Sequence, residues 1–160
     1  MRSADEWFEA YGVSHRNPVN KAIHWVCVPV ITFCTIGLFA AIPHPYFEGV
    51  LPGAFEPALH WGSVLIVLAL LLFYLRLSLT LALAMGLFAA GSVWGNVQIE
   101  AAGYDLLTVN LVAFVVAWIG QFIGHKIEGM KPSFFEDLQF LLVGPAWLIH
   151  FVFRKLGVPY

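Results

Sequence analysis

Four long segments without a charged residue constrain this chain more than any other feature. Residues 22–47, 57–75, 77–99 and 106–125 contain no Asp, Glu, Lys or Arg. Each is close to, or longer than, the roughly 18–20 apolar residues that a helix needs to cross about 30 Å of hydrocarbon. The chain is only 11% charged, whereas a soluble domain is usually about one quarter charged. We therefore predict an all-α integral membrane protein with four transmembrane helices, forming a single membrane domain over residues 1–160.

The charged residues between these segments predict the orientation. If each segment crosses once, the connections at 48–56 and 100–105 share one side, and their only charged residues are acids. All the basic residues then fall on the other side, with both termini: Arg2, Arg16, Lys21, Arg76, Lys126, Lys131, Arg154 and Lys155. Because cytoplasmic connections carry the excess of Lys and Arg, we predict that both termini are cytoplasmic. We expect a multi-pass protein of a bacterial inner membrane, or of the ER membrane if the protein is eukaryotic.

Other compositional features exclude several classes. The basic residues are scattered and the net charge is −2, so we expect no nucleic-acid partner. Three acids in the first ten residues predict that no secretory signal is cleaved. Cys27 and Cys34 do not form a C-x-x-C motif, and we interpret them as small buried apolar residues.

The helix boundaries before and between the spans follow from capping residues. Ser3 and Glu6 form a capping box that opens a short amphipathic helix, and Gly12 ends it. Asn17 and Pro18 suit the N-cap and first position of the first span. Arg76, alone between two apolar segments, predicts a tight turn at the membrane surface. The third span contains small residues that permit close helix approach: Ala82, Ala84, Gly86, Ala89, Ala90 and Gly91.

The C-terminal helix is predicted to be kinked and interfacial. Pro132 is expected to end the fourth span, and Ser133 and Glu136 form a second capping box. The uncharged part, 138–153, is short for a span and contains Gly144-Pro145, which predicts a break in the helix. A fifth span remains the alternative, although Arg154 and Lys155 would then lie on the opposite side.

Two polar clusters lie where apolar helices meet the predicted cytoplasmic side. In the first, Asn20 and His24 share a helix face, and His15 in the preceding link can fold back over that helix. In the second, Gln121, His125 and Glu128 form one stripe at i, i+4 and i+7. Gly124 beside this stripe would let another backbone approach.

Imidazoles and a carboxylate together suit a divalent transition metal, and two histidines with one carboxylate suit non-haem iron(II). The alternative is that these side chains only stabilise helix packing or lie at the interface. His150 is a further candidate ligand, because a kink at Pro145 could turn it towards the others. His44 and His60 fall on the opposite side and are interpreted as interfacial anchors.

The two clusters resemble the motifs of the 2-hydroxy fatty acid dioxygenase family, membrane enzymes of fatty-acid α-oxidation with yeast-type and bacterial members. The first motif consists of Tyr11, His15, Asn20, His24 and Pro29. The second consists of Trp118, Gln121, Gly124, His125, Glu128 and Pro132. Residues 43–108 resemble the family only in hydropathy.

The resemblance implies an iron(II)-dependent dioxygenase that cleaves a 2-hydroxy fatty acid with O2 to the fatty acid one carbon shorter. It implies His15, His24 and His125 as metal ligands. Glu128 is expected to be either a carboxylate ligand or a residue that orients the ligands. Asn20 and Gln121 are expected to orient the ligands as well, and Lys21 or Lys126 to attract the substrate carboxylate. The polar end of the substrate would lie at the metal and its tail between the spans.

Two alternatives come from other classes. A di-iron hydroxylase or desaturase is disfavoured because the six histidines form no H-x-x-H-H box. The other alternative is a non-enzymatic small transporter or assembly protein. A transporter would be expected to carry polar groups near the bilayer midplane, whereas the middle of every predicted span is apolar apart from scattered Ser, Thr and Asn. The acyl-chain length, the metal identity and the oligomeric state do not follow from the sequence.

Overall fold

Six helices make up the described part of the fold. The structure, a computed structural model, describes residues 2–129 and 134–160, and for residues 134–139 the backbone alone. The described part contains no strand, and 81% of its residues are helical. The helices are α1 (Ala4–Gly12), α2 (Pro18–Ala40), α3 (Trp61–Leu77), α4 (Leu79–Ala101), α5 (Leu106–Glu128) and α6 (Phe134–Leu156). Two short 3₁₀ turns, Pro45–Phe47 and Gly53–Ala58, lie between α2 and α3.

Three helices, α2, α4 and α5, are long and apolar enough to cross a membrane. Large apolar side chains cover their outer surfaces; Leu87 is 78% exposed and Val116 is 63% exposed. Water would strongly disfavour such a surface, whereas lipid does not. The protein is therefore membrane-associated. The segment predicted as the second span forms α3, a shorter apolar helix with a π-helical turn at Leu70–Tyr74.

The predicted starts of α1 and α2 are confirmed in the structure. The Ser3 hydroxyl accepts from the Glu6 N–H, and the Glu6 carboxylate accepts from the Ser3 N–H, which completes the capping box. The Asn17 side chain accepts from Val19 and Asn20 N–H groups, with Pro18 as the first helical residue. The predicted turn at Arg76 is also confirmed, since α3 ends at Leu77 and Ser78 caps α4.

The end of α5 has a different cause from the predicted one. The helix ends at Glu128 as expected, but Gly129, with φ of +76°, forms the left-handed cap. A left-handed cap favours glycine, so Gly129 ends the helix before Pro132 is reached. Pro132, Lys131 and the predicted Ser133 cap lie outside the described residues.

Helices α2 and α5 form the most extensively packed pair, through glycines one turn apart on α5. A Cβ on Gly120 would lie 2.7 Å from the Cys27 sulfur, and one on Gly124 would overlap Asn20 Oδ1. The expectation of a close approach at Gly124 is confirmed, but a side chain rather than a backbone fills the space. The small residues predicted to pack on the third span are buried only in part. Ala82 and Ala89 are buried and Ala90 and Gly91 are exposed, because the former pair is seven residues apart on one face.

Helix α6 corrects the prediction of a break at Gly144-Pro145, because it continues through Pro145 to Leu156. Pro145 removes one backbone hydrogen bond of the helix. A side chain of α3 adds a hydrogen bond in the same turn. The Tyr74 hydroxyl donates to the carbonyl of Leu142 at 2.6 Å. Residues 143–148 are all buried, and α1, α2 and α4 pack against the helix. Packing on several sides thus offsets the missing hydrogen bond.

The interpretation of His60 as an interfacial anchor is wrong. The residue is 3% exposed and caps α3, because its Nδ1 accepts from the Ser63 N–H at 3.1 Å. The arrangement resembles a Ser/Thr capping box with His60 in the place of the hydroxyl residue. Because histidine is not a usual capping residue, no ordinary cap signal marks this helix start.

A buried pair of asparagines links α4 to α5. Asn110 of α5 donates to Asn96 Oδ1 of α4 at 2.8 Å, and Asn96 donates to the Ser92 carbonyl at 2.9 Å. A Cβ on Gly37 of α2 would overlap Asn96 Oδ1, so α2 also approaches closely. This pair and the histidines described below lie at opposite ends of α5.

Candidate metal centre

Three histidines from three different segments meet at one end of the bundle. His15 lies in the link between α1 and α2, His24 on α2 and His125 on α5. All three are buried, and their candidate ligand nitrogens lie within 4.8 Å of one another. The ring centroids are 4.3 Å (His15–His24), 5.1 Å (His15–His125) and 5.0 Å (His24–His125) apart, and the rings meet edge-on. The predicted fold-back of His15 over α2 is confirmed.

The hydrogen bonds of two rings determine their tautomers. Nδ1 of His15 lies 2.6 Å from the Tyr11 carbonyl, and Nδ1 of His24 lies 2.9 Å from the Asn20 carbonyl. A carbonyl only accepts, so each Nδ1 carries the proton and each Nε2 keeps its lone pair. Both Nε2 atoms are buried, with no hydrogen-bond partner among the described residues.

This arrangement fits a metal ion. A ligating histidine usually donates its other ring N–H to a carbonyl or carboxylate, which fixes the tautomer and the ring orientation. Burial, and then the neighbouring His24, lower the pKa of His15 to about 3. The ring is therefore neutral at physiological pH, as a metal ligand must be. Buried acceptors without a partner are costly, and a bound cation would satisfy them.

Aromatic side chains hold His15 in place. The Tyr11 ring stacks on the His15 ring with centroids 4.1 Å apart and an interplanar angle of 9°. The Trp147 indole of α6 lies 5.1 Å from Tyr11 and 5.4 Å from His15. Gly144 lies one turn before Trp147 on the same helix, and a Cβ there would lie 3.2 Å from the Tyr11 hydroxyl. Helices α1 and α6 therefore fix the position of a histidine that lies in a loop.

Glu128 holds the same loop from the other side. Its Oε1 accepts from the Arg16 N–H at 2.8 Å, and its Oε2 accepts from the Asn17 N–H at 2.9 Å and from Asn20 Nδ2 at 3.0 Å. Asn20 also donates to the Ser14 carbonyl at 3.1 Å. Glu128 thus bonds to residues just after His15 in the chain, while Asn20 bonds to the residue just before it. The carboxylate is not part of the histidine group.

Of the other predicted site residues, only Gln121 lies at the histidine cavity. Gln121 is buried beside His24 and lines the cavity at the histidines. Among the described residues, neither Lys21, which is half-buried, nor Lys126, which is exposed, lines that cavity. His150 lies apart from the group; its Nδ1 donates to the Trp147 carbonyl and its ring stacks on Phe8, with centroids 4.8 Å apart.

Sequence reasoning missed one side chain of the site, Trp147, and assigned no role to another, Trp118. Trp147 was not predicted, because its contact with His15 depends on how α6 packs. Trp118 belonged to a motif but had no assigned role. It lines the cavity, and its indole N–H has no hydrogen-bond partner among the described residues. Its spacing of seven residues from His125 was the signal that could have placed it on the same face.

The comparison with protein families agrees with this geometry. Residues 1–156 match the family described as 2-hydroxy-palmitic acid dioxygenase Mpo1-like. The chain belongs to this family. The resemblance seen in the two motifs is thus confirmed over nearly the whole chain. No curated protein and no solved structure matches the chain.

Proposed function

We propose that this protein is an iron(II)-dependent dioxygenase that shortens 2-hydroxy fatty acids by one carbon at the histidine group. The observation that carries the proposal is the pair of buried Nε2 lone pairs on His15 and His24, beside His125. Three imidazoles leave coordination positions open on iron(II), which O2 and a chelating substrate require. The family name supports the substrate class.

The net reaction balances with O2 as the sole oxidant. A 2-hydroxy acid and O2 give the acid one carbon shorter, carbon dioxide and water. The substrate loses four electrons and O2 accepts four, so no reductase or 2-oxoglutarate is needed. When bound, iron(II) would supply the Lewis acidity and the template for substrate and O2.

Each residue of the site has a proposed role. His15, His24 and His125 would bind the metal, and Tyr11 and Trp147 would keep the His15 ring in its orientation. Glu128 and Asn20 would fix the His15 link rather than bind the metal, because three N–H groups already engage the Glu128 carboxylate.

The substrate head group would also bind inside the cavity. Gln121 and the Trp118 indole N–H line the cavity, and we assign them to the substrate oxygens in place of Lys21 and Lys126. His150 has no role in this proposal, because its ring packs against Phe8 and Phe151, away from the histidine group.

The proposed topology has four crossings, α2 to α5, within one membrane domain and with both termini in the cytoplasm. The side chains at the histidine end of these helices include Lys21, Arg76 and Lys126, whereas Glu48, Glu56 and Glu100 lie near the other end. The positive-inside rule then gives the orientation. The histidine group would lie at the level of the cytoplasmic head groups.

The test is iron binding and product formation by the protein purified without oxygen. We expect iron(II), O2 and 2-hydroxypalmitate to yield pentadecanoate, measured by mass spectrometry. His24→Gln and His125→Gln should each lose the bound iron and at least about a hundredfold of the activity. Mutation of a residue that only hydrogen-bonds to a metal ligand already lowers metal affinity or activity about 10–100-fold, and loss of a ligand should cost at least as much. His44→Gln, the same change in a surface turn at the other end of the bundle, is the matched control.

Three outcomes would contradict the proposal or part of it. Bound metal without product would reject the substrate but keep the metal centre. Neither metal nor product would favour a non-enzymatic membrane protein. Activity that survives in His24→Gln and His125→Gln would reject these ligands.

A further inference from the structure

An apolar cleft adjoins the cavity at the histidines and lies deeper in the bundle. The histidine cavity is bounded on its apolar side by Val28, Ile31 and Thr32 of α2 and by Leu141 of α6. A second cleft begins at the same Thr32 and Leu141 and runs between α2, α3, α4 and α6. The cavity and the cleft therefore share two lining residues, one on α2 and one on α6.

The walls of this cleft are almost entirely apolar. Its aliphatic lining includes Ile36, Leu65, Leu70 and Met85. The two threonine hydroxyls are already used, since Thr32 donates to the Val28 carbonyl at 3.0 Å and Thr35 to the Ile31 carbonyl at 2.8 Å.

The third hydroxyl in the cleft is also engaged, because Tyr74 donates to the Leu142 carbonyl at 2.6 Å. With every hydroxyl bonded to a backbone carbonyl, the cleft presents hydrocarbon surface. An acyl chain is the ligand that gains most from such a surface.

The histidine cavity and the cleft together span a length that matches a long acyl chain. From His24 to Ile36 there are about twelve residues along α2, or about 18 Å at 1.5 Å per residue. An extended chain of single bonds advances roughly 1.2 Å per bond, as the polypeptide backbone shows. The distance therefore corresponds to about fifteen bonds, close to the tail of a sixteen-carbon acid.

We propose that this cleft holds the acyl tail of the substrate whose head group binds at the histidines, and that Ala89 and Leu65 set the chain length. The inference rests on the proposed function, which supplies the occupant. Ala89 of α4 is 6% exposed and lines the cleft, as does Leu65 of α3. A larger side chain at Ala89 shortens the available space, and a smaller one at Leu65 extends it.

The experiment measures the affinity for unbranched acids of eight to twenty carbons, with and without the 2-hydroxyl. Binding is read from displacement of a fluorescent polyene fatty acid, in nanodiscs and without O2, so that turnover is not needed. For the wild type, we expect affinity to rise up to about fourfold per methylene until the cleft is full. At each chain length the variant is compared with the wild type, so that partition of the acid into lipid cancels.

The critical variant is Ala89→Phe, with Ala90→Phe as its matched control. Ala90 is the next residue on the same helix and is exposed on the outer surface. We expect Ala89→Phe to bind eight-carbon acids as the wild type does and to lose at least tenfold for the sixteen-carbon acids. Ala90→Phe should follow the wild-type profile. Leu65→Ala should move the optimum to longer chains, a gain that misfolding cannot produce.

The outcomes separate this inference from the proposed function. The same chain-length profile in wild type, Ala89→Phe and Leu65→Ala would overturn the inference, whether or not the protein forms product. A shifted profile in both variants supports it even if no shortened acid forms with iron(II) and O2. In that case the proposed reaction fails and the acyl-binding cleft stands.

Discussion

At the residue scale, the site depends on how backbone carbonyls fix the imidazole rings. Both His15 and His24 bond through Nδ1 to the carbonyl four residues earlier, at Tyr11 and Asn20. In α2 this carbonyl is part of the helix, whereas at His15 it belongs to the last turns of α1. The end of α1 thus gives His15 the same backbone acceptor that α2 gives His24. As a result, the Nε2 atoms of both rings face the same space.

Glu128→Gln tests whether this carboxylate positions the His15 link or binds the metal. The glutamine amide has a single acceptor oxygen, and its NH2 would face one of the N–H donors of Arg16, Asn17 or Asn20. We expect the affinity for iron(II) or Co(II), measured by titration, to fall 10–100-fold while the protein still folds. Glu56→Gln is the control, because Glu56 also accepts from a loop N–H, that of Gly49, but at the opposite end.

Two results would count against this role of Glu128. An unchanged affinity would show that the link does not need the carboxylate. Complete loss of binding, as expected for His24→Gln, would instead make Glu128 a metal ligand.

At the element scale, the close contact of α2 with α5 brings Asn20 and His24 towards His125. Gly120 and Gly124 lie four residues apart on α5, where they provide room for Cys27 and Asn20 of α2. This is the small-xxx-small pattern that lets membrane helices approach closely. The helix contact and the candidate metal centre therefore share a surface, and a change in one is expected to alter the other.

We expect Gly124→Ala to weaken both the packing of α2 against α5 and the binding of metal at the histidines. The new Cβ would overlap Asn20 Oδ1, so Asn20 must move away from Glu128 and the Ser14 carbonyl. Overpacking of this kind costs about 1–3 kcal/mol, which corresponds to a fall in Tm of roughly 2–12 °C for a chain of this size. Thermal unfolding in detergent and metal titration would measure the two effects.

The matched control for Gly124→Ala is Gly91→Ala. Gly91 lies within α4 and is exposed, and a methyl group added there would meet open space. Alanine there should leave Tm unchanged or raise it slightly, because alanine favours a helix over glycine. Equal Tm values for the two variants would show that the contact at Gly124 does not limit stability.

At the scale of the whole molecule, the ends of the bundle differ in chemistry. One end holds the three histidines and the C-terminus of α5. The other holds the buried Asn96–Asn110 pair and the acidic connections. Between them lie the apolar walls formed by α2, α3 and α4. A substrate with a polar head and a long tail matches this polarity if the histidine end faces the cytoplasmic head groups.

Cysteine labelling tests the four-span topology. A membrane-impermeant maleimide should react with Glu9→Cys and Arg154→Cys from one side and with Glu48→Cys from the other. The wild type gives the background, since Cys27 and Cys34 lie within α2 and Cys34 is buried. Reaction of Arg154→Cys from the same side as Glu48→Cys would show a fifth crossing through α6.

The sequence by itself determined the class of protein, the starts of α1 and α2 and the candidate ligands, because these depend on local properties. Long uncharged segments predict membrane helices, and capping residues such as Ser3 and Asn17 act on N–H groups within one turn. Histidine spacing on α2 and α5 follows from the helical repeat, and the family motifs lie in these same segments. Hence the sequence alone is enough to identify His15, His24 and His125 as candidate ligands.

Only the tertiary structure decided the contacts between segments distant in sequence. Glu128 bonds to residues more than one hundred positions away, at Arg16 and Asn17. Trp147 reaches His15 because α6 continues through Pro145, with the Leu142 carbonyl bonded to Tyr74 of α3. The apolar cleft beside the histidine cavity is likewise lined by residues of four helices. Such contacts depend on how whole helices pack against one another, which the spacing of residues within any one helix does not specify.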